Sequence, residues 1–307
     1  MPGVLGSGKL PLDFQSLSVR VRGEATAAVA SLLQSDWQRQ MTDWTVTHDL
    51  SVSVLSDVHP LPVRSEPAGR RVTALTHDGP LSFSADGDVF SGEGLTLETS
   101  GQHSRVALNE QVSASGLLLA FTEVQRAAGL LPLHASVLSR AGCTIAVSGP
   151  SGAGKSTAAL RLLGRDWQLV AEDWAWLDPL TIQLTGWDRG LRVRPDSLTL
   201  FAPEFLQTAP TDAHGKKVLS PPRLPGVHVL NALYFLSRPG ESVSPPFPGQ
   251  PLQAIPSRRA FVQPVWEMVG TPLTPAARTA VQVGVNLLLN SVPMVYAERD
   301  ELIERLG

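Results

Sequence analysis

The first third of the chain alternates hydrophobic and polar residues in short runs, a pattern typical of strands with one buried face. Clear runs cover residues 17–21 and 50–55, and the alanine- and leucine-containing stretch 24–40 favours one helix. Glycine and aspartate between the later runs predict turns; these turns are Asp78-Gly79, Asp86-Gly87 and residues 92–94. The pattern therefore predicts a β-rich N-terminal region over residues 1–110.

After residue 110 the hydrophobic spacing changes. Residues 113–130 have helical spacing, with serines available as an N-terminal cap and Gly129 as a stop. Two apolar runs, 133–139 and 143–148, predict a hairpin of buried strands. A glycine-rich stretch follows, and then a helix over 157–163 and strands over 168–171 and 174–177. Alternating helices and strands of this kind predict an α/β domain over residues 111–307.

The rest of this second region continues the same alternation. Strands are predicted over 180–186, 191–193, 231–237 and 292–297. An irregular helix is predicted over 195–206, and regular helices are predicted over 275–290 and 299–306. Thr274 is available as the N-terminal cap of the helix over 275–290, and Pro275 lies in its first turn. The proline-rich stretch 239–264 predicts a long loop.

Composition limits the classes of function. Hydrophobic residues make up 43% of the 307 residues and charged residues 17%, which is typical of globular proteins and not of disordered ones. The formal net charge of -3 offers no broad field for nucleic acid or an anionic membrane, so neither is expected as a partner. One cysteine, Cys143, cannot form an internal disulfide, and no apolar run reaches the roughly 20 residues that span a bilayer. We expect a cytoplasmic protein, and homo-oligomerisation is left open.

One glycine-rich motif indicates a specific chemistry, and we call it the glycine loop. It consists of Gly149, Pro150, Ser151, Gly152, Ala153, Gly154, Lys155, Ser156 and Thr157. Because it follows an apolar strand and precedes a helix, it is predicted to bind a nucleoside triphosphate. Glycines let backbone N–H groups turn toward phosphate oxygens at the positive end of a helix. In this pattern Lys155 reaches the β and γ phosphates and the Ser156 hydroxyl binds magnesium.

Two acidic residues, Glu172 and Asp173, end the strand that follows this helix. Parallel strands of one sheet end at the same edge, so these carboxylates are predicted to face the glycine loop. One would hold magnesium and the other would accept a proton. The alternative is a pair of solvated acids at a strand end, which the neighbouring loop disfavours.

The stretch from His134 to Asp173 resembles the kinase domain of HPr kinase/phosphorylase and, more closely, the wider set of HPr-kinase-like proteins. The features that carry this resemblance are a histidine before a strand hairpin, the loop Gly-Pro-Ser-Gly-Ala-Gly-Lys-Ser-Thr, and an acidic pair that ends 18 residues after Lys155. The resemblance implies an α/β fold containing a phosphate-loop kinase domain of the HPr-kinase type. It covers residues 134–173 strongly and the rest of the C-terminal half in outline.

The resemblance also implies roles. Lys155 and the loop amides would hold the phosphates of ATP, and Ser156 with Asp173 would hold Mg²⁺. Glu172 stands where the family has an aspartate as general base, so its carboxylate extends one methylene farther. His134 matches a family histidine near the transferred phosphate, although a histidine at a strand start is as often structural.

Three further cations are candidate contacts to phosphate or substrate: Lys216, Arg192 and Arg194. The family's C-terminal signature is not legible around residues 221–236, although Arg223-Leu-Pro-Gly226 matches part of it. The N-terminal half does not resemble the regulatory domain of that enzyme. HPr itself is therefore not the expected acceptor.

These features predict an ATP- and Mg²⁺-dependent kinase that transfers the γ-phosphate to a hydroxyl of a protein, a peptide or a small molecule. The alternative is an ATPase or GTPase switch, or an ATP-binding module without kinase activity. A structural adaptor with a vestigial loop is disfavoured because Lys155 and Ser156 are both present. The acceptor stays unassigned.

Overall fold

The computed structural model describes residues 9–37, 44–54, 70–76, 79–92, 94–109, 112–187, 190–237 and 272–307. The protein is a mixed α/β protein built of two compact units. The first unit comprises residues 1–130 and 269–283, and the second comprises residues 131–268 and 284–307. The helix predicted over 113–130 thus belongs to the first unit, after the boundary predicted at residue 110.

The first unit contains eight strands and two complete helices within its described part. The strands are β1 (Leu10–Ser16), β2 (Val19–Ala25), β3 (His48–Val54), β4 (Arg70–Thr76), β5 (Gly79–Asp86), β6 (Val89–Gly92), β7 (Leu95–Ser100) and β8 (His103–Leu108). The helices are α1 (Ala27–Trp37) and α2 (Ala114–Ala127).

The eight strands form one sheet in the order β1-β2-β3-β8-β7-β6-β5-β4. Strand β3 runs parallel to β2 and β8, and the other neighbours are antiparallel. In β3 the alternation predicts the buried face correctly, since Leu50, Val52 and Val54 are buried while Ser51 and Ser53 are exposed. Trp37 of α1 and Phe121 of α2 pack with ring centroids 5.5 Å apart.

The buried Glu123 of α2 accepts hydrogen bonds from the start of another helix and pairs with Arg126 of its own helix. Glu123 Oε1 accepts hydrogen bonds from the backbone N of Leu273 at 2.8 Å, and from Thr274 N and Oγ1 at 2.6 and 2.9 Å. Arg126 Nη1 lies 3.7 Å from Glu123 Oε2, and both side chains are buried. Burial raises the pKa of Glu123 and lowers the pKa of Arg126 to about 10. Thr274 in turn caps α5 (Pro275–Ser291) by accepting from Ala277 N.

The second unit contains ten strands, three complete α-helices and one 3₁₀ turn in its described part. The strands are β9 (Leu131–Leu133), β10 (Ser136–Arg140), β11 (Cys143–Ser148), β12 (Gln168–Ala171), β13 (Ala175–Asp178), β14 (Gln183–Gly186), β15 (Leu191–Val193), β16 (Lys217–Leu219), β17 (His228–Leu236) and β18 (Met294–Ala297). The helices are α3 (Lys155–Leu163), α4 (Pro195–Phe201), a 3₁₀ turn (Pro203–Phe205) and α6 (Arg299–Leu306).

The main sheet of this unit has the order β12-β10-β11-β17-β14-β13-β9, and β18 pairs with β17. Strands β11, β17 and β18 are parallel to one another. Because β10 is antiparallel to both β11 and β12, those two strands also point the same way. The carboxyl ends of β12, β11, β17 and β18 therefore share one edge of the sheet, which we call the carboxyl edge. The amino end of β10 lies there too.

Most secondary-structure predictions for residues 111–307 are confirmed. The hairpin is β10–β11, the irregular helix is α4 with the 3₁₀ turn, and the last strand and helix are β18 and α6. Ser113 caps α2 by accepting from Gly116 N, as expected. The predicted loop over 239–264 lies outside the described residues. None of the described helices has the length and apolar character needed to cross a membrane.

Candidate active site

The glycine loop connects β11 to α3 at the carboxyl edge. Gly149 has φ +149°, and a Cβ there would lie 2.6 Å from the carbonyl oxygen of Leu236, so a larger residue would collide with the neighbouring strand. Gly154, the N-cap of α3, has φ +96° and supplies no side-chain acceptor for the first turn. The first N–H groups of a helix have no intrahelical acceptor. The loop therefore brings an uncapped helix start to the sheet edge.

Lys155 is the first residue of α3 and lies across the loop. Its Nζ donates a hydrogen bond to the carbonyl oxygen of Gly149 at 2.9 Å. The side chain is buried, with 8% relative exposure. A buried ammonium is costly unless it is hydrogen-bonded, and this contact supplies one partner on the far side of the loop. The positive charge is thus held within the curve of the glycine loop.

Ser156 brings the loop together with the acidic pair. Its Oγ donates to Oε1 of Glu172 at 2.5 Å. Glu172 follows β12, and its backbone carbonyl accepts from the hydroxyl of Ser136 on β10 at 3.1 Å. Since β10 lies between β11 and β12, this bond fixes the end of β12 relative to the loop.

Asp173 lies among cationic and imidazole groups. Its Oδ1 is 3.2 Å from His134 Nε2, and its Oδ2 accepts from Arg192 Nη2 at 2.9 Å. Burial opposes ionisation of Asp173, but the hydrogen bond and charge of His134, together with the charges of Arg192 and Lys216, outweigh it and lower the pKa to about 2. Asp173 is therefore an ionised carboxylate at neutral pH.

The partners of Asp173 come from three elements. His134 precedes β10, and its backbone carbonyl accepts from the Ser148 hydroxyl at 3.1 Å, which ties it to the end of β11. Arg192 lies in β15, and its Nε is also 3.8 Å from Oε2 of Glu172. Lys216 precedes β16, which pairs antiparallel with β15. The predicted cations Arg192 and Lys216 are thus grouped around Asp173.

The two predicted magnesium ligands, Ser156 and Asp173, contact different groups of the chain. Ser156 and Asp173 were expected to share a metal ion, whereas the hydroxyl of Ser156 contacts Glu172 and Asp173 contacts His134 and Arg192. Glu172 and Asp173 lie beyond the end of β12, in a bend of the chain. Consecutive carboxylates thus reach different partners.

Two other predicted residues lie apart from the acidic pair. Thr157 shares a 2.8 Å hydrogen bond with Ser197 of α4, so its hydroxyl connects two helices. Arg194 is exposed at the N-cap of α4, and within the described part of the chain it makes no ion pair with either carboxylate. The role of Arg194 in phosphate or substrate binding stays a prediction.

Sequence reasoning missed one neighbour of the loop, Arg299. A Cβ built on Gly154 would lie 3.1 Å from Cδ of Arg299 and 3.5 Å from its Nη1. Arg299 comes two residues after β18, at the same sheet edge. Its position after a parallel strand is the signal that singled out Glu172, and it could have identified Arg299 as well.

The donors at this edge suit a hard cation. Ser156 and Glu172 offer a hydroxyl and a carboxylate, the oxygen ligands that Mg²⁺ accepts, and Mg²⁺ commonly takes one or two carboxylates plus phosphate oxygens. Among the described residues no group of three or more His, Cys, Asp or Glu is arranged to hold a metal ion. Ser156 and Glu172 together offer two oxygen ligands, so Mg²⁺ there would need its further ligands from water or phosphate.

Comparison with known proteins adds no family assignment. No family model matches this chain, and no curated protein sequence matches it. The resemblance to HPr-kinase-like proteins therefore stays a prediction from the sequence, strong over residues 134–173 and in outline over the rest of the C-terminal half.

Proposed function

We propose that this protein is an ATP- and Mg²⁺-dependent kinase, similar to HPr-kinase-like proteins, that transfers the γ-phosphate to a hydroxyl acceptor. The observation that carries the proposal is the 2.5 Å contact between the Ser156 hydroxyl and Glu172. It joins the glycine loop to an acidic strand end, the pairing that a metal-bound triphosphate requires.

The nucleotide would bind along the glycine loop. The uncapped start of α3 offers backbone N–H groups and the positive end of a helix dipole to the phosphates. Lys155 would exchange its hydrogen bond to Gly149 for a phosphate oxygen. That exchange keeps the buried ammonium partnered in both states.

Glu172 and Ser156 would hold Mg²⁺, which, when bound, neutralises charge on the β and γ phosphates. This assignment exchanges the roles that the sequence suggested for the two carboxylates. It follows from the contact of Ser156 with Glu172 and from the ion pair that engages Asp173 with Arg192. Glu172 lies 3.8 Å from Arg192 Nε, whereas Asp173 is paired with the same guanidinium at 2.9 Å, so a metal at Glu172 would break the weaker of the two contacts.

Asp173 would orient the acceptor hydroxyl and accept its proton. The low pKa of Asp173 makes it a weak base, but phosphoryl transfer through a loose transition state needs little help from a base. His134, in contact with Asp173 Oδ1, would hold the carboxylate in place. Arg192 and Lys216 add positive charge beside the transferred group.

The same low pKa supports a second candidate, a nucleotide-dependent switch or slow ATPase. A carboxylate whose pKa is about 2 is a poor acceptor for the proton of an alcohol. In that case γ-phosphate contacts would order the loops around the site without transfer to a second molecule.

The test is incubation of the purified protein with γ-labelled ATP, Mg²⁺ and a cell extract. The wild type is expected to label an acceptor, and Lys155→Ala is expected to label none. Label that appears only as free phosphate favours the ATPase. Absence of any turnover and of any nucleotide binding by the wild type contradicts both candidates.

A further inference from the structure

A second group of residues reaches the glycine loop from the opposite flank to the carboxylates. Counting along the sheet, β12 lies two strands from β11 on one side, through β10. Strand β18 lies two strands from β11 on the other side, through β17. Each is about 10 Å from β11, given the usual spacing of neighbouring strands. The start of α6 therefore flanks the loop opposite Glu172 and Asp173.

Helix α6 is fixed to α3 by packing and by charge. Leu302 and Ile303 of α6 share a buried core with Ala158, Ala159 and Leu162 of α3. Arg161 of α3 also forms an ion pair with Asp300. Since α6 is held against the middle and last turn of α3, the residues that begin α6 have a defined position relative to α3 and the loop before it.

Arg299 is the first residue of α6, and its side chain extends over Gly154. Its Cδ and Nη1 lie 3.1 and 3.5 Å from the place that a Cβ of Gly154 would occupy. Gly154 is the N-cap of α3, where phosphate oxygens would accept backbone hydrogen bonds. A guanidinium in this place is within reach of the same oxygens.

The charge of Arg299 is only weakly compensated. Its Nε is 3.6 Å from Oδ1 of Asp300, which is longer than a hydrogen bond. Asp300 is 66% exposed and is shared with Arg161. Exposed ion pairs of this kind contribute little, so Arg299 keeps most of its attraction for another anion.

We propose that Arg299, the first residue of α6, binds the phosphates that the nucleotide keeps after transfer, namely the α and β phosphates held at the glycine loop. The proposal rests on the proposed nucleotide site. Arg299 approaches from the flank opposite the acidic pair, so it contacts the α and β phosphates and not the transferred γ-phosphate. A planar guanidinium can donate two hydrogen bonds to phosphate oxygens, which a lysine cannot match.

Calorimetric titration with Mg-ATP and Mg-ADP tests this for wild type, Arg299→Gln, Arg299→Lys and a control, Arg305→Gln. Arg305 lies on the same helix and pairs with Glu301 at 3.1 Å. Arg299→Gln is expected to lower the affinity for both nucleotides about 10- to 100-fold, the usual range for loss of hydrogen bonds to charged groups. Arg299→Lys should weaken both by a smaller factor, about three- to tenfold, and Arg305→Gln should bind like the wild type.

Three results would overturn the inference, and a second variant decides if Arg299→Gln does not fold. If Arg299→Gln binds both nucleotides as the wild type does, Arg299 is a packing residue, and the proposed function stands. If only Mg-ATP is weakened, the contact is to the transferred phosphate. If Arg299→Gln fails to fold, Arg299→Lys decides, since it keeps the aliphatic stem over Gly154, and unchanged affinity there rejects the contact. Wild type that binds neither nucleotide removes the proposed function as well.

Discussion

Each unit of the protein holds a buried glutamate beside the first turn of a helix, and the two differ in what contacts them. Glu123 in the first unit accepts two backbone N–H groups and the Thr274 hydroxyl at the start of α5. Glu172 in the second unit accepts the side-chain hydroxyl of Ser156 at the start of α3, with Arg192 nearby. A backbone donor moves only with its helix, whereas a side-chain donor leaves by rotating. Glu123 is therefore suited to a structural role and Glu172 to one in which partners change.

One histidine in each unit, His48 in the first and His134 in the second, can be compared by its surroundings. His48 is buried in the sheet of the first unit, with Nε2 2.8 Å from Ser104 Oγ. His134 lies at the carboxyl edge of the second unit and faces the ionised Asp173. Burial of a titratable group does not distinguish a structural site from a functional one, because both kinds of site perturb pKa values. His134 differs from His48 in its position, since it lies at the carboxyl edge beside the acidic pair.

The largest expected effect is on the first unit, from Glu123→Gln. This change removes a charge that compensates the buried Arg126 and weakens an acceptor for three donors, so we expect a loss of about 3–5 kcal/mol in the free energy of unfolding. Urea denaturation followed by tryptophan fluorescence measures it. Glu172→Gln is the matched comparison and should cost about 1 kcal/mol, since its neighbour Arg192 is partly exposed and can reach solvent. Equal losses for the two variants would remove the contrast.

The next effect is the response of the first unit to acid. Burial, and then the charge of His103, lower the pKa of His48 from 6.5 to about 4, against the opposing charge of Asp49. The unfolded chain therefore takes up a proton at higher pH than the folded chain does. Stability is full above pH 6.5 and falls by up to about 3 kcal/mol as the pH drops to about 4. Unfolding free energies measured across this range should show the slope.

The control for this slope is His48→Gln, which should flatten it. Asp173 does not contribute to the slope over this range. Because its pKa is lowered from 3.8 to about 2, the stability that its ionised form provides is lost only as the pH falls from 3.8 toward 2. A slope that persists in His48→Gln would place its origin in another group.

Within the second unit, Asp173→Asn should slow phosphoryl transfer by about 10², the lower end of the range for a positioned proton acceptor. Nucleotide affinity should stay within about threefold of the wild type. Single-turnover transfer and calorimetric titration measure the two quantities. A variant that transfers at the wild-type rate would leave Asp173 with an electrostatic or structural role.

The smallest of these effects separates the two carboxylates. Glu172→Gln should weaken Mg-ATP binding about tenfold, because a neutral amide lacks the charge that a hard cation requires. With EDTA present in place of Mg²⁺, wild type and variant should bind ATP equally. The opposite assignment, with Glu172 as base and Asp173 on the metal, predicts that Asp173→Asn loses the magnesium dependence and Glu172→Gln loses transfer.

The sequence predicts more of the fold than of the site. Hydrophobic spacing and caps are local, so the α2 cap at Ser113, the β10–β11 hairpin and the final strand and helix follow from their own residues. The strand order does not follow from local sequence. The pairing of β17 with β11 and of β3 with β8 joins segments that lie far apart in the chain. Partners of adjacent side chains depend on that order.

The acidic pair illustrates this limit. The motif and the strand end identify Glu172 and Asp173, but which one meets Ser156 depends on how β12 lies beside β10, a contact that no local pattern encodes. For Arg299 the position after β18 is a local signal, but its contact with Gly154 depends on the pairing of β18 with β17, which is not local.

The most direct test of the central claim is calorimetric titration of Mg-ATP into wild type, Lys155→Ala and Lys217→Ala. Lys155 is held inside the glycine loop, whereas Lys217 donates to the carbonyl oxygen of Ala209 and serves as the control. We expect the wild type and Lys217→Ala to bind Mg-ATP alike and Lys155→Ala to lose about 100-fold or more in affinity. A wild type that does not bind Mg-ATP, or a Lys155→Ala variant that binds it as the wild type does, would contradict the account.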